Sequence, residues 1–479
     1  MLNHFYSFMV KGLVAKKSDD FSAWYADVVL KAELIEHTSV SGCMVYRPGS
    51  FAIWEALQRF LDSEFKKLGV QNAYFPSLIP ESLLTKEADH VEGFAPEVAW
   101  VTHGGDKELS ERLAIRPTSE TIMYESYGKW IRSYRDLPLK LNQWCNVVRW
   151  EFKHPRPFLR GREFLWQEGH TVHASEESAR QEVYAILDVY RRAYEEILAV
   201  PVLAGAKSIA ERFAGADTTT SLEALFPDGK AVQACTSHYL GTGFAQAFNI
   251  TFLDASGQQQ FGHQNSWGFS TRSIGIMIGV HGDDKGLVLP PRIAPVPVVV
   301  VPITFSKDKE GSQNVLSVAQ DLCDTHGWHL DNRDQSPGSR FAEWEMKGIP
   351  VRIELGPRDL QNNTVVVVRR DTSEKAVVSL NEVAQHVSVL LEDIQKSLFV
   401  QAKKHLDASI VEVSSLSELK DVVEQGKIGV ACWVDSPENE EEIKKVTGAK
   451  SLTSASEKEG MCVVSGKKVS SRHYFGKSY

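Results

Sequence analysis

A chain of 479 residues, 43% hydrophobic and 24% charged, has the balance of a protein with sizeable cores and room for about three domains. Its net charge of −9 excludes a protein that coats nucleic acid non-specifically, but not one with a local basic patch. Six scattered cysteines (Cys43, Cys145, Cys235, Cys323, Cys432 and Cys462) form no CxxC pair, which fits reduced thiols better than a disulfide framework.

The opening stretch MLNHFYSFMVKGLVAKKSDD is apolar too briefly for a membrane helix and has no small-residue cleavage site, so a cytoplasmic location and no membrane association are expected. The spacing of Phe51, Ile53, Trp54, Leu57, Phe60, Leu61, Phe65 and Leu68 predicts an amphipathic helix stopped by Gly69. VQNAYFPSLIP follows as a short strand ending at Pro76. LAIRPTSE, LNQWCNVVRWEF, FLWQEGHTVHA and FGHQNSWGFSTR read as strands. A second long helix is predicted from about Glu176 to Leu198, with acids in its first turn. Helices and strands mix without a regular βαβ beat, which predicts an antiparallel α+β core over roughly the first 290 residues.

PPRIAPVPVVVVPI (290–303) reads as a linker running into a buried strand. Then come a helix from Gln313 to His326, the strands IPVRIEL and TVVVVRR, and a helix from about Leu380 to Leu398. Together they predict a small α/β domain with parallel strands. A third segment starts near Ala408, carries the solvated helix face ENEEEIKK and ends in SSRHYFGKSY. The expected domains are 1–295, 296–405 and 406–479.

Chemistry concentrates in VVRWEFKHPRPFLRGREF (147–164), which gathers Arg149, Lys153, Arg156, Arg160 and Arg162 in an acidic chain. Arg149 and Glu151 are two apart and would share a strand face. His154-Pro155-Arg156-Pro157 must be a loop, since proline lacks a ladder donor. Guanidinium groups so placed can clamp phosphate or carboxylate bidentately; the competing reading is surface salt bridges. The same face-sharing recurs in Trp166, Glu168 and His170, in Thr118 and Glu120, and in Ser266, Gly268, Ser270 and Arg272. Such residues line either a solvated face or a pocket. In a pocket the two acids would hold an ammonium, Trp166 would cover an apolar ring, and Gly268 would let a ligand approach the backbone.

These runs resemble the class II aminoacyl-tRNA synthetases, and the chain is similar over essentially its whole length to prolyl-tRNA synthetases of the archaeal and eukaryotic cytosolic type. Phe51 to Pro76 resembles motif 1, Arg149-Trp-Glu151 with Arg160 to Phe164 resembles motif 2, and GFSTR with Arg272 resembles motif 3. Thr118-Ser-Glu120 resembles the TxE loop of the prolyl, threonyl and histidyl subclass. IRPTSE, NSWGFSTR, HGDDKGLVLPPR and FGKSY are similar to the prolyl family specifically.

The resemblance implies a class II core, an anticodon-binding domain and a small C-terminal α/β domain. It implies a ligase that activates L-proline with ATP and transfers it to tRNA(Pro). Arg149 would hold the α-phosphate and the proline carboxylate; Glu151 and Phe164 would hold adenine. Arg160 and Arg272 would hold the β- and γ-phosphates, while Gln233, Thr236 and Ser270 would meet the nucleotide. Proline would lie among Thr118, Glu120, Trp166, Glu168, His170, His238, Ser266 and Gly268. Mg²⁺ would accompany ATP, the basic loop would meet the tRNA acceptor end, and motif 1 would form a homodimer.

In the middle domain, SPGSRFAEWEMKGIPVRIELGPRD implies anticodon contacts by Arg340, Glu345, Lys347 and Arg352; a charged strand-turn face is the plainer reading. Many relatives carry four zinc-binding cysteines near the C-terminus. Here Cys432 and Cys462 remain, Pro437 and Val464 stand where partners would be, His473 is a weak third donor, and no zinc is expected. The insertion that edits mischarged alanine in relatives is missing between motifs 2 and 3. No GxxxxGK[ST] occurs, which argues against P-loop chemistry. Two alternatives stay open. One is a non-catalytic paralogue that binds tRNA, against which stand the intact Arg149, Glu151 and Arg272. The other is a threonyl or histidyl ligase; a threonyl pocket usually needs zinc ligands, and beside Cys145 and His170 a third is not evident.

Overall fold

The structure, a computed structural model, describes residues 12–88, 97–151 and 154–479. Lys153 and the first eleven residues therefore lie outside the described residues. No described helix is long and apolar enough to cross a membrane.

An antiparallel floor of four strands organises the first domain: Lys230–Gly241, His263–Ser270, Glu163–His173 and Leu139–Val148, in that spatial order. Their register puts Thr236, Gly268, Glu168 and Gln143 in one line across the floor. His238, Ser266, His170 and Leu141 form the neighbouring line on one side, and Ser270, Trp166 and Cys145 align on the other. Side chains alternate along a strand, so these lines project from one face. The opposite face is the core. Trp267 packs on Phe65 (ring centroids 4.9 Å) and Phe269 on Tyr190 (5.4 Å), from the two long helices behind the sheet. Gly169 makes room for this: a Cβ there would stand 2.1 Å from the Trp267 indole.

The first of these helices runs Pro48–Lys67 and buries Ile53, Trp54, Leu57, Leu61 and Phe65, the stripe expected from the sequence. Phe51 belongs to that stripe by spacing yet is 42% exposed. The second runs Glu176–Arg192, is capped by Ser175, and finishes in a π-helical turn over Ala193–Ile197.

Several strand readings overran. VQNAYFPSLIP makes only the two-residue strand Gln71–Asn72, then Leu78–Pro80 in another sheet. The strand at LAIRPTSE stops at Ile115, because the residue before a proline leaves the ladder and proline lacks the donor; Glu120 opens a helix instead. Arg149 and Glu151 lie beyond the strand that ends at Val148, and the return strand begins at Glu163 rather than at Phe158. Arg272 starts the helix Arg272–His281 instead of ending a strand.

The middle domain carries a five-stranded sheet with the order His329–Leu330, Val298–Pro302, Val351–Leu355, Thr364–Arg369, Lys375–Ser379. The first three are parallel as expected, but the last two pair antiparallel. Their connections (356–363 and 370–374) are shorter than the dozen or so residues a parallel crossover needs. The following helix continues to Ser409, across the expected boundary at 405/406.

The last segment does not stand apart. Its strand Arg472–Ser478 pairs with Ile428–Cys432 on one side and runs parallel to Lys230–Ala231 on the other, so it extends the floor of the first domain.

Candidate active site

The floor opens into a cavity of about 440 Å³. Of the residues expected to meet ATP or proline, all but Arg160 border it: Thr118, Glu120, Arg149, Glu151, Phe164, Trp166, Glu168, His170, Gln233, Thr236, His238, Ser266, Gly268, Ser270 and Arg272. The line through His238, Ser266 and His170 marks one end. Phe164 is six residues from His170 on the same strand, about 20 Å away at strand spacing, and marks the other.

At the acidic end Glu168 is buried among hydrogen-bond donors. It accepts from the Ser119 amide (3.0 Å), the Ser119 hydroxyl, Gln143 Nε2 (3.2 Å) and Thr118 Oγ1 (3.3 Å), and contacts His170 Nε2 at 3.1 Å. Burial alone raises a carboxyl; here His170 and the Ser119 donors outweigh it and hold Glu168 below its ordinary value. Burial likewise works against a charged His170, but Glu120 and Glu168 outweigh it and raise the imidazole. His238 moves the opposite way, down to about 3, through burial and the positive charge of His170. Thr118 donates to Glu120, so the TxE loop brings its two residues together at a helix start rather than along a strand. The end thus gathers two acidic side chains around one imidazole, a setting suited to an ammonium. Trp166 walls it, its Nε1 bonded to Cys145 Sγ at 3.2 Å. A Cβ on residue 268 would press on that indole at 3.3 Å, which explains the glycine.

At the basic end Arg149 Nε is anchored on Pro117 O (2.9 Å) and its guanidinium lies 5.3 Å from the Trp166 ring and 5.6 Å from Phe164. Neither of its terminal nitrogens bonds another described residue. Arg272 is tethered by Leu159 O and Gln233 O (both 3.2 Å). Burial lowers its pKa, and the charges of Arg149 and Arg160 push it the same way. Two guanidinium groups from distant parts of the chain thus border one cavity and repel each other until an anion enters. A bulge between Leu222 and Glu223 in the strand pairing shifts parity, so Gln233 as well as Thr236 reaches the space.

Arg160 is turned away: its guanidinium bonds the main-chain oxygen of Tyr479 and lies 5.5 Å from that ring, while Arg156 bonds Tyr479 Oη at 2.7 Å. The motif-2 loop is therefore fastened to the last residue of the chain.

Several site residues were not singled out from sequence. Ser119 and Gln143 hold Glu168, and Phe213 packs on His238 with ring centroids 4.7 Å apart. Gln143 had a signal, since it shares strand parity with Cys145 and the floor. Phe213 had none, for it arrives on a loop.

In the middle domain Arg340 is buried, donating to Asp331 O and Pro302 O. Lys347 bridges Glu343 and, across the domain boundary, Glu33 (both 2.8 Å). Arg352 pairs with Glu354 at 2.9 Å and lies 4.4 Å from the Phe341 ring, with Glu345 3.8 Å away. Near the C-terminus Cys432 Sγ donates to Lys458 O, Cys462 Sγ accepts from the Val434 and Ser465 amides (all 3.3 Å), and His473 accepts from Trp433 Nε1 at 2.7 Å. Among the described residues the one group of three close metal-capable side chains is Glu120, Glu168 and His170, in the cavity.

Comparison with known proteins gives this geometry a family. The tRNA synthetase class II core domain (G, H, P, S and T) matches residues 100–281, the anticodon binding domain 297–390, and the prolyl-tRNA synthetase C-terminal domain 416–479. The chain is 51% identical over 474 residues to the proline–tRNA ligase of Lachnoclostridium phytofermentans, covering 97% of this chain and 98% of that one. It is 49% identical over 475 residues to that of Clostridium novyi and 48% identical over 472 to proline–tRNA ligase 2 of Bacillus cereus, each with the same coverage. These relatives are bacterial, which corrects the expectation of an archaeal and eukaryotic cytosolic type. One cavity with an acidic end and a doubly basic end, together with relatives matched over 97% of the chain, gives a single answer: the chain belongs to the proline–tRNA ligases of the class II aminoacyl-tRNA synthetases.

Proposed function

We propose that proline sits at the Glu168–His170 end, beneath Trp166, and that a folded-back ATP lies from Phe164 to Arg272. The observation that carries this is Arg149, fixed by Nε between the two ends with its terminal nitrogens unengaged. One proline carboxylate oxygen attacks the α-phosphorus and the bond to pyrophosphate breaks, leaving prolyl-adenylate. A terminal ribose hydroxyl of tRNA(Pro) then attacks the acyl carbon, and AMP leaves. No side chain need act as nucleophile: the residues align reactants and stabilise charge on the phosphoryl oxygens.

Glu120 and Glu168 hold the imino nitrogen, with Thr118, His170, His238 and Ser266 shaping the end; Gly268 leaves the ring its space. Glu151 and Phe164 take adenine, and Gln233, Thr236 and Ser270 the sugar and phosphates. Arg272 binds the outer phosphates, and Arg160, which is exposed, joins it by exchanging the Tyr479 oxygen for phosphate. The nucleotide end offers guanidinium, hydroxyl and amide rather than a carboxylate cage, which fits Mg²⁺ carried on phosphate oxygens and water. When bound, it would supply charge neutralisation. In the middle domain Arg352 and Glu345, with Lys347 and Arg340 supporting, face the anticodon. The exposed Phe51 on the motif-1 helix fits a homodimer through that segment, and six free thiols fit the cytoplasm.

Amino-acid-dependent pyrophosphate–ATP exchange tests the reading. Proline should support it, and threonine and histidine should not. Exchange with threonine or histidine but not proline would reject it.

A further inference from the structure

The loop 207–217 joins the strands Leu203–Ala206 and Thr218–Leu225 and brings Phe213 and Glu211 to the cavity. Phe213 covers His238, and its amide bonds Thr219 Oγ1 (2.9 Å), which in turn bonds His238 Nδ1 (2.9 Å). The loop thus forms one wall of the acidic end. Its other side is attached to the C-terminal domain. The Ile209 amide donates to both Asp435 carboxylate oxygens (3.1 and 3.2 Å), Ser208 bonds the buried Ser451 hydroxyl (2.8 Å), and Glu211 pairs with Lys450 (2.9 Å). Just before it the Ala206 amide bonds Ser454 Oγ (2.8 Å), and Gly205 lies so close that a Cβ would stand 2.4 Å from Ser454 O.

We propose that the C-terminal domain takes part in proline selection, with Asp435, Lys450 and Ser451 as positioning residues that hold the 207–217 loop and so fix Phe213 and Glu211 against the amino acid. This rests on the reading that the His238–His170 end receives proline. An irregular loop over a ligand loses conformational entropy when it orders, and anchors formed before binding remove that cost from the binding step. Burial raises the Asp435 carboxyl, opposed by the Ile209 amide that both of its oxygens accept from. Asp435, Lys450 and Ser451 bond the loop through their side chains and do not themselves border the cavity, so their effect on the amino acid passes through the loop.

The test compares the whole chain with Asp435→Ala, Asp435→Asn and Lys450→Met in pyrophosphate exchange and in limited tryptic digestion, where the exposed Arg212 marks the loop. The Ala variant should raise the proline KM about tenfold, with the ATP KM within about twofold of wild type. The Asn variant, which still accepts from the Ile209 amide, should stay near wild type. Cleavage after Arg212 should be several-fold faster in the Ala variant. Should Asp435→Ala not fold, Lys450→Met carries the same comparison with a smaller shift of the same kind. A folded variant with an unchanged proline KM, or with proline and ATP KM rising together, overturns the proposal. Failure of the wild-type chain to exchange with proline would instead overturn the reading of the cavity; the digestion result is independent of that reading.

Discussion

Arg149→Ala is expected to lower kcat/KM for proline-dependent exchange by about 10³-fold, the scale for removing a charged donor aimed at a developing phosphoryl charge. The loss should fall mainly on kcat, because in the proposed pose the group would meet charge that grows as the carboxylate and the α-phosphorus come together. Stability should hardly change: the side chain is half-buried and gives up one bond, to Pro117 O. Arg149→Lys should recover little, since an ammonium cannot be fixed by one nitrogen while presenting a planar pair to two oxygens. A thermally intact Arg149→Ala protein retaining exchange within about tenfold of wild type would place the reaction elsewhere.

Glu168→Ala is expected to damage both binding and fold. Its carboxylate holds Ser119, Gln143, Thr118 and His170, and deleting one partner of a buried charged network costs about 3–5 kcal/mol. The pH dependence follows from the two shifts. Glu168 lies below its unfolded value, so its contribution is present above about pH 4.3 and is lost as pH falls through the depressed folded value. His170 lies above its unfolded value, so its contribution is complete below about pH 6.5 and is lost as pH rises through the raised folded value. The pair titrates as a unit and is strongest between about pH 4.3 and 6.5. Thermal unfolding of wild type and Glu168→Gln across this range reads it directly. The gap should be widest inside the window and narrow outside; a gap independent of pH would mean the pair carries no net charge interaction.

Much of this was legible because the floor strands obey period two. Trp166, Glu168 and His170 do share a strand face, and Ser266, Gly268 and Ser270 stand opposite them in register. The period misleads where a spacing of two continues past the end of a strand. Pro117 and the prolines after His154 interrupt the ladder, so Thr118–Glu120 and Arg149–Glu151 meet the cavity from a helix start and a turn. The long helices were evident from their apolar stripes, but the antiparallel edge of the middle sheet follows from short connections, whose pairing a strand pattern does not specify. The union of the last strand with the catalytic floor, and the attachment of the 207–217 loop to Asp435 and Lys450, join residues more than two hundred positions apart; hydrophobic period carries no information on that. Arg160 shows a further limit, since residue type predicts a phosphate ligand but not that Tyr479 occupies it in the free chain.

A crystal structure of the chain with ATP and prolinol, which lacks the attacking carboxylate, examines the whole account at once. We expect the pyrrolidine nitrogen on Glu120 and Glu168, the α-phosphate on Arg149, and the outer phosphates bent back onto Arg272. An extended triphosphate that leaves Arg272 untouched, or a pyrrolidine ring outside the Trp166 wall, would contradict it.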